Sequence, residues 1–161
     1  MTIDDPTQPR QPRSIALLAL FLVVVIGMGI FVGTQSAPGG WYQELEKPVF
    51  NPPNWIFAPV WTVLYVFIAI AGWRTFLRAP RSMAMKFWYG QMALNWIWSP
   101  VFFVFHLTWA AFAVIAAMLI LIILFVGKNW RADRVSAALF FPYALWVGFA
   151  GLLNFSLALL N

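Results

Sequence analysis

The sequence predicts an all-α integral membrane protein, a bundle of five transmembrane helices. Of its 161 residues, 63% are hydrophobic and only 9% are charged, whereas a soluble domain carries about 25% charged residues. The charges lie between long apolar runs, and each run has roughly the 20 residues that a helix needs to cross the hydrocarbon core. The runs lack the period-two alternation of barrel strands, so helices are favoured over a barrel.

The apolar runs define the elements in chain order. Residues 1–14 form a polar tail that we predict to be disordered, and residues 15–161 form a single membrane domain. The first apolar run is longer than the h-region of a signal peptide, which favours a retained helix. The predicted spans are 15–33, 55–77, 84–105, 107–127 and 135–160, and a long first loop occupies 34–54.

Lysine and arginine predict how the helices are oriented. Nine of the ten basic residues fall on one side of a five-span arrangement, and only Lys47 falls on the other. Because cytoplasmic segments carry the excess of Lys and Arg, we expect the N-terminus inside and the C-terminus outside, most simply in a bacterial cell membrane. Basic residues placed between apolar runs indicate membrane orientation rather than nucleic-acid binding.

The ten tryptophans divide into two groups. Six lie near predicted span ends, where an aromatic belt at the membrane interface accounts for them: Trp41, Trp55, Trp73, Trp88, Trp109 and Trp130. The other four lie well inside the spans and need another explanation.

Helical spacing supplies that explanation, because rings and hydrogen-bonding groups repeat at intervals of three and four along three of the spans. Such faces should point into the bundle, since amides and indoles avoid lipid. The candidate ligand-binding residues on these faces are Trp61 and Tyr65 in the second span, Asn95 and Trp98 in the third, and Trp146, Ala150 and Asn154 in the fifth. They could line a pocket for a flat, largely apolar ligand, or the asparagines could simply join neighbouring helices.

Small residues mark two further patches, around Gly90 in the third span and around Gly148 and Gly151 in the fifth. Either patch could serve helix contacts inside the bundle or an interface between two copies of the chain. The sequence does not choose between these alternatives.

No constellation for conventional catalysis or metal binding is evident. The chain has no cysteine, its one histidine is His106, and all five acidic residues lie outside the spans. A buried carboxylate, typical of proton-coupled carriers, is therefore missing. We expect no metal site and no required cofactor.

Three blocks of residues resemble the TspO/translocator-protein family, the tryptophan-rich sensory proteins. The similarity extends from about Trp41 to Phe155. The blocks are Trp41-Tyr42 with Lys47-Pro48, Asn51-Pro52-Pro53 and Trp61-Thr62; Gln91, Asn95 and Trp98-Ser99-Pro100; and Pro142-Tyr143, Trp146, Gly151-Leu152 and Asn154-Phe155.

The resemblance implies a five-helix bundle, usually homodimeric, that binds porphyrins such as protoporphyrin IX and haem as ligands. Family members also bind sterols and synthetic benzodiazepine-site ligands. The family pocket lies beneath the first loop, among spans one, two, three and five. By motif, its residues here are Trp61, Tyr65, Asn95 and Trp146, with Trp41 in the covering loop. No basic residue follows Arg134, so the cholesterol-recognition pattern of the animal proteins is missing.

The resemblance leaves several functions open. The first is porphyrin sensing, sequestration or transport. An alternative is light-dependent oxidative degradation of protoporphyrin IX, in which Trp61 and Trp146 would be the residues involved. A third is a carrier or scaffold in which the pocket is incidental.

Overall fold

The computed structural model describes residues 11–36 and 39–161, with side chains from residue 14 onward in the first segment. These residues form helices and no strand, as the sequence predicts for an all-α protein. The elements are α1 (Gln11–Gln35), the short α2 (Gly40–Glu44), a 3-10 turn (Asn54–Ile56), α3 (Phe57–Arg78), α4 (Met83–Phe103), α5 (Thr108–Asn129) and α6 (Arg134–Leu160).

The first helix begins earlier than the hydrophobic run. Residues 11–14, predicted as part of a disordered tail, belong to α1, so that part of the prediction was wrong; the rest of the tail lies outside the described residues. The prediction started the helix at its first apolar residue, but backbone hydrogen bonding continues past the end of an apolar stretch. The indole of Trp73 also donates a hydrogen bond to the Ser14 carbonyl, at 2.9 Å, and anchors this turn to α3.

Four helices of the described chain are long and apolar enough to cross a membrane by length and composition. The fifth long helix, α4, has 21 residues but is less hydrophobic, because Gln91 and Asn95 lie in its middle. Both of these side chains are buried, so their polarity faces other helices. Polar groups paired inside a bundle are compatible with a spanning helix.

The five long helices pack as a closed ring in the order α1, α3, α6, α5, α4 and back to α1. The small residues of α4 and α6 face α5 in this ring. A Cβ on Gly90 would meet Leu121 of α5 at 2.9 Å, and a Cβ on Gly151 would lie 3.7 Å from Ile115. These glycines therefore allow α4 and α6 to pack closely against α5 within one chain.

Trp88 is an exception to the predicted aromatic belt. It is buried, and its indole N–H donates to the carbonyl of Ile68 at 3.0 Å. Its ring occupies the space that Gly72 leaves on α3, because any Cβ at Gly72 would collide with it. The interfacial interpretation was therefore wrong for Trp88, whereas Trp55, Trp109 and Trp130 are exposed.

An ionic cluster joins the end of α3 to the turn before α6. The carboxylate of Asp133 accepts two hydrogen bonds from Arg74, at 2.9 and 3.1 Å, and lies 3.9 Å from Arg78. Asp133 also caps α6 by accepting from the backbone N–H and hydroxyl of Ser136. Arg78 donates to Asn129 at 2.6 Å, which ties in the end of α5.

Replacing Asp133 with alanine should lower the melting temperature of the protein in detergent. The change removes the carboxylate partner of two arginines and the cap of α6. We expect a loss of about 2 kcal/mol, roughly half from the cap and half from an ion pair whose arginines are one-third exposed. An Ala variant of Glu44, an exposed acid at the other end of the bundle, is the control.

The same cluster predicts a pH dependence. Burial would by itself raise the pKa of Asp133, but hydrogen bonds from Arg74 and Ser136, with the charge on Arg74, outweigh it and lower the pKa to about 2. Its stabilisation is therefore fully present above the ordinary pKa of 3.8 and is lost as the pH falls towards 2. The difference in melting temperature between wild type and Asp133→Ala should shrink over this range, and a constant difference would contradict the assignment.

Candidate ligand-binding site

A cavity of about 430 Å³ lies between α1, α3, α4 and α6, and Tyr42 of α2 lines the end that faces the first loop. Small-molecule sites commonly have volumes of about 300–1,000 Å³. Six of the eight residues predicted from the sequence line this cavity: Trp61, Tyr65, Asn95, Trp98, Ala150 and Asn154. The stripes of three different helices therefore meet at one place.

The other two predicted residues, Trp41 and Trp146, do not line the cavity. The Trp146 ring packs against Phe57, which does line it, with 5.8 Å between the ring centroids, and also against Phe149. Trp146 lies three residues after Tyr143 and four residues before Ala150, so all three share one face of α6. Helical spacing alone therefore could not show that Ala150 lines the cavity and Trp146 does not. Trp41 packs on the outer turn between α4 and α5.

A chain of hydrogen bonds runs from the cavity wall into the middle of the bundle. Tyr65 donates its phenol to Asn95 Oδ1 at 3.1 Å, and Asn95 Nδ2 donates to Tyr143 Oη at 3.1 Å. Tyr143 in turn donates to Gln91 Oε1 at 2.8 Å. The Nε2 atom of Gln91 is buried and has no partner. Asn95 therefore joins α3, α4 and α6, and it also lines the cavity.

A second polar contact holds the outer part of the cavity. The indole of Trp98 donates to Asn154 Oδ1 at 3.1 Å, and Asn154 Nδ2 donates to the Thr108 carbonyl at 2.9 Å. These bonds fix the Trp98 ring on α4 against α6 and the start of α5. The ring is further stacked on Phe102, with centroids 5.6 Å apart and planes 20° apart.

The chemistry of the wall follows from these bonds. The Tyr65 hydroxyl, the Trp98 indole N–H and one N–H of Asn95 donate to protein acceptors. No residue that the structure places on the wall is charged. The cavity therefore offers a ligand aromatic faces and a few neutral polar groups rather than charge, which suits a flat and largely apolar molecule.

The cavity opens along the seam between α1 and the start of α3. Its exposed lining residues all lie on α1, on the 3-10 turn or in the first two turns of α3: Ile30, Gly33, Thr34, Asn54, Ala58 and Thr62. The resemblance implied that the first span borders the pocket, but helical spacing pointed to no residue of α1, because that helix carries no stripe of rings or amides. Along this seam α1 packs tightly against α3 at Gly29, because any Cβ there would collide with the Tyr65 ring.

The first loop is fixed on the outer end of the bundle. Tyr42 is buried and donates to Asn51 Oδ1 at 3.2 Å, with Lys47 Nζ 5.0 Å from its ring centroid. Burial raises the pKa of Tyr42, although the hydrogen bond with Asn51 opposes the shift. The loop backbone at Glu46 exchanges two hydrogen bonds with the Asn161 side chain, at 2.9 and 3.1 Å. The loop thus closes over the cavity end, which is the position that the resemblance implied for it.

Trp41 holds the same loop from the side. Its ring stacks on His106 with 4.0 Å between centroids and 17° between planes. His106 is exposed in the turn between α4 and α5 and has a φ of 56°, which lies in the left-handed region. This contact explains Trp41 as a residue that positions the loop.

The chain is similar to proteins of one family over most of its length. The model of the TspO/MBR family matches residues 18–160. Protein CrtK of Rhodobacter capsulatus is 34% identical, over 92% of this chain and 94% of the relative. The tryptophan-rich sensory protein of Cereibacter sphaeroides is 34% identical, over 89% and 92%. The translocator protein of Bos taurus is 30% identical, over 85% and 86%.

Proposed function

The chain belongs to the TspO/MBR family of integral membrane proteins, and on that premise we propose that it binds tetrapyrroles such as protoporphyrin IX and haem. Other flat, apolar ligands would share the same cavity. The cellular role would be the sensing, sequestration or transport of porphyrins, in keeping with relatives named as sensory and translocator proteins.

One observation carries this proposal, the uncharged cavity walled by Trp61, Tyr65 and Trp98. Aromatic rings on a cavity wall give a flat conjugated ligand surfaces to pack against. The carboxylates of a porphyrin would have to reach the open seam, because an ionised group is costly to bury on an uncharged wall.

The test is a titration of the purified protein with protoporphyrin IX. Tryptophan fluorescence should be quenched saturably at micromolar ligand. Ala150→Phe, which fills the buried wall with a ring, should weaken this quenching about tenfold or more. Ala138→Phe is the matched control, because Ala138 is an exposed alanine of the same helix. Unsaturable quenching, or equal loss in both variants, would count against the proposal.

Porphyrin photo-oxidation remains an alternative rather than a second proposal. It depends on Trp61 and Trp146 together, and only Trp61 lines the cavity. The aromatic wall that supports binding therefore supports this reaction less directly.

The positions of the basic residues support the predicted orientation. Seven basic residues lie at one end of the bundle, from the last turns of α3 to the first turn of α4 and from the end of α5 to the start of α6: Arg74, Arg78, Arg81, Lys86, Lys128, Arg131 and Arg134. Lys47 lies at the opposite end. We propose that the basic end faces the cytoplasm. Single cysteines introduced at Gln43 and at Arg131 should be labelled from opposite sides of the membrane, since the chain has no native cysteine.

A further inference from the structure

A second depression lies at the end of the bundle away from the ligand cavity. It is formed where the last turns of α3 meet the turn between α5 and α6, and it measures about 400 Å³. We call it the basic groove, and its lining residues are Trp73, Arg74, Leu77, Arg78, Ala132 and Asp133. Trp73 is eight residues beyond Tyr65, the last cavity residue of α3, or about 12 Å along the helix.

The groove carries an excess positive charge on groups that are held in place. Arg74 is fixed by Asp133, and Arg78 by Asn129 and Asp133. The two arginine side chains are nevertheless 37% and 33% exposed. A guanidinium has five N–H donors, and these bonds use two from Arg74 and one from Arg78. Two arginines against one carboxylate therefore leave both charge and donors for an anion.

The surroundings strengthen this field. Asp133 is the only acidic residue that the described part of the chain places at this end. The exposed basic residues around the groove are Arg81, Lys86, Lys128, Arg131 and Arg134. A negatively charged ligand is therefore attracted to this end and meets its most ordered donors in the groove.

The apolar residues of the groove favour a lipid over a soluble anion as its occupant. Arg78 ends α3, and Leu77 and Trp73 lie just inside that end. Leu77 is 47% exposed, and Trp73 is half-buried with its N–H committed to the Ser14 carbonyl. Along α3 each arginine follows an apolar residue, Arg74 after Trp73 and Arg78 after Leu77, so the groove presents charge and apolar surface side by side over the last two turns of the helix. Basic pockets between spanning helices are suited to anionic headgroups.

We propose that the basic groove binds an anionic phospholipid, with Arg74 and Arg78 donating to its phosphate and Trp73 and Leu77 packing on its first methylenes. Guanidinium groups recognise phosphate through paired N–H donors. The site is independent of the porphyrin cavity, so its test does not depend on the proposed function.

The test titrates delipidated protein in detergent with phosphatidylglycerol and, separately, with phosphatidylcholine, and counts bound lipids by native mass spectrometry. We expect one phosphatidylglycerol to bind at least tenfold more tightly than phosphatidylcholine. Arg78→Gln should weaken phosphatidylglycerol binding about tenfold, and Arg78→Lys by less. Arg131→Gln, which removes the same charge from the same end but outside the groove, should change it less than twofold.

Three outcomes would overturn the proposal. Equal losses in Arg78→Gln and Arg131→Gln would mean a diffuse attraction without a site. Equal binding of the two lipids would exclude headgroup recognition. Full displacement of phosphatidylglycerol by millimolar inorganic phosphate would indicate a soluble anion as the occupant. Melting temperatures of both variants keep a folding defect separate from a binding defect.

Discussion

Replacing Trp61 with alanine should weaken protoporphyrin IX binding by roughly 5- to 150-fold. The Trp61 ring lines the cavity, with the Tyr65 ring 5.4 Å away and the Tyr143 ring 6.2 Å away between centroids. A flat heterocycle stacked on an aromatic side chain is worth about 1–3 kcal/mol. The measurement is the dissociation constant from saturable fluorescence quenching, with the quenching amplitude corrected for the missing tryptophan.

Trp146→Ala is the control, because it removes the same ring from a position that does not line the cavity. We expect it to lower affinity by about threefold or less, since Trp146 contacts the lining residue Phe57 but not the cavity itself and only indirect repacking remains. An effect of Trp146→Ala equal to that of Trp61→Ala would mean that the ligand reaches Trp146. The family resemblance places both tryptophans in the pocket, whereas the structure places only Trp61 on the cavity wall, so this pair of variants distinguishes the two expectations.

Gly29→Ala should both destabilise the protein and weaken porphyrin binding, whereas Gly27→Ala should do neither. A Cβ on Gly29 would overlap the Tyr65 ring, while a Cβ on Gly27 would meet nothing within 4 Å. Overpacking of this kind costs about 1–3 kcal/mol. If Tyr65 instead rotated away from the added methyl group, it would lose its hydrogen bond to Asn95 and its ring would enter the cavity.

Both variants replace a glycine of α1 with alanine, and both gain the same helix propensity of about 1 kcal/mol. Their difference in melting temperature therefore reports the contact with Tyr65. A Gly29→Ala protein as stable as Gly27→Ala, with unchanged porphyrin affinity, would show that α1 does not pack on Tyr65. The opening of the cavity would then lie elsewhere than between α1 and α3.

Much of the fold follows from the sequence. Lipid as solvent requires long apolar helices, and charges are confined to their ends. Reading the apolar runs therefore predicted all five long helices to within a few residues. The largest difference is at the start of α1, which begins at Gln11. The apolar run begins only at Ile15, but the hydrogen-bonded helix extends four residues further towards the N-terminus.

The site was predictable to the extent that its residues form stripes. Tyr65, Asn95 and Asn154 are polar groups at helical spacing inside apolar runs, which marks an inward face. Gly29 and the neighbouring part of α1 gave no such signal, because glycine and aliphatic residues occur on any surface of a membrane helix. Trp88 was misassigned for a related reason. It lies near a span end, and only the gap at Gly72 shows that it turns inward.

The sequence by itself determined that this chain lives in a membrane, how many long helices it forms and which faces of α3, α4 and α6 avoid lipid. Only the tertiary structure decided which residues on those faces reach the cavity, that Trp146 packs on Phe57 without lining the cavity, that Trp41 holds the loop, and that α1 supplies the open side. The physical reason is that periodicity fixes the direction of a side chain relative to its own helix axis. What that side chain meets depends on the order and separation of the neighbouring helices, which no single helix encodes.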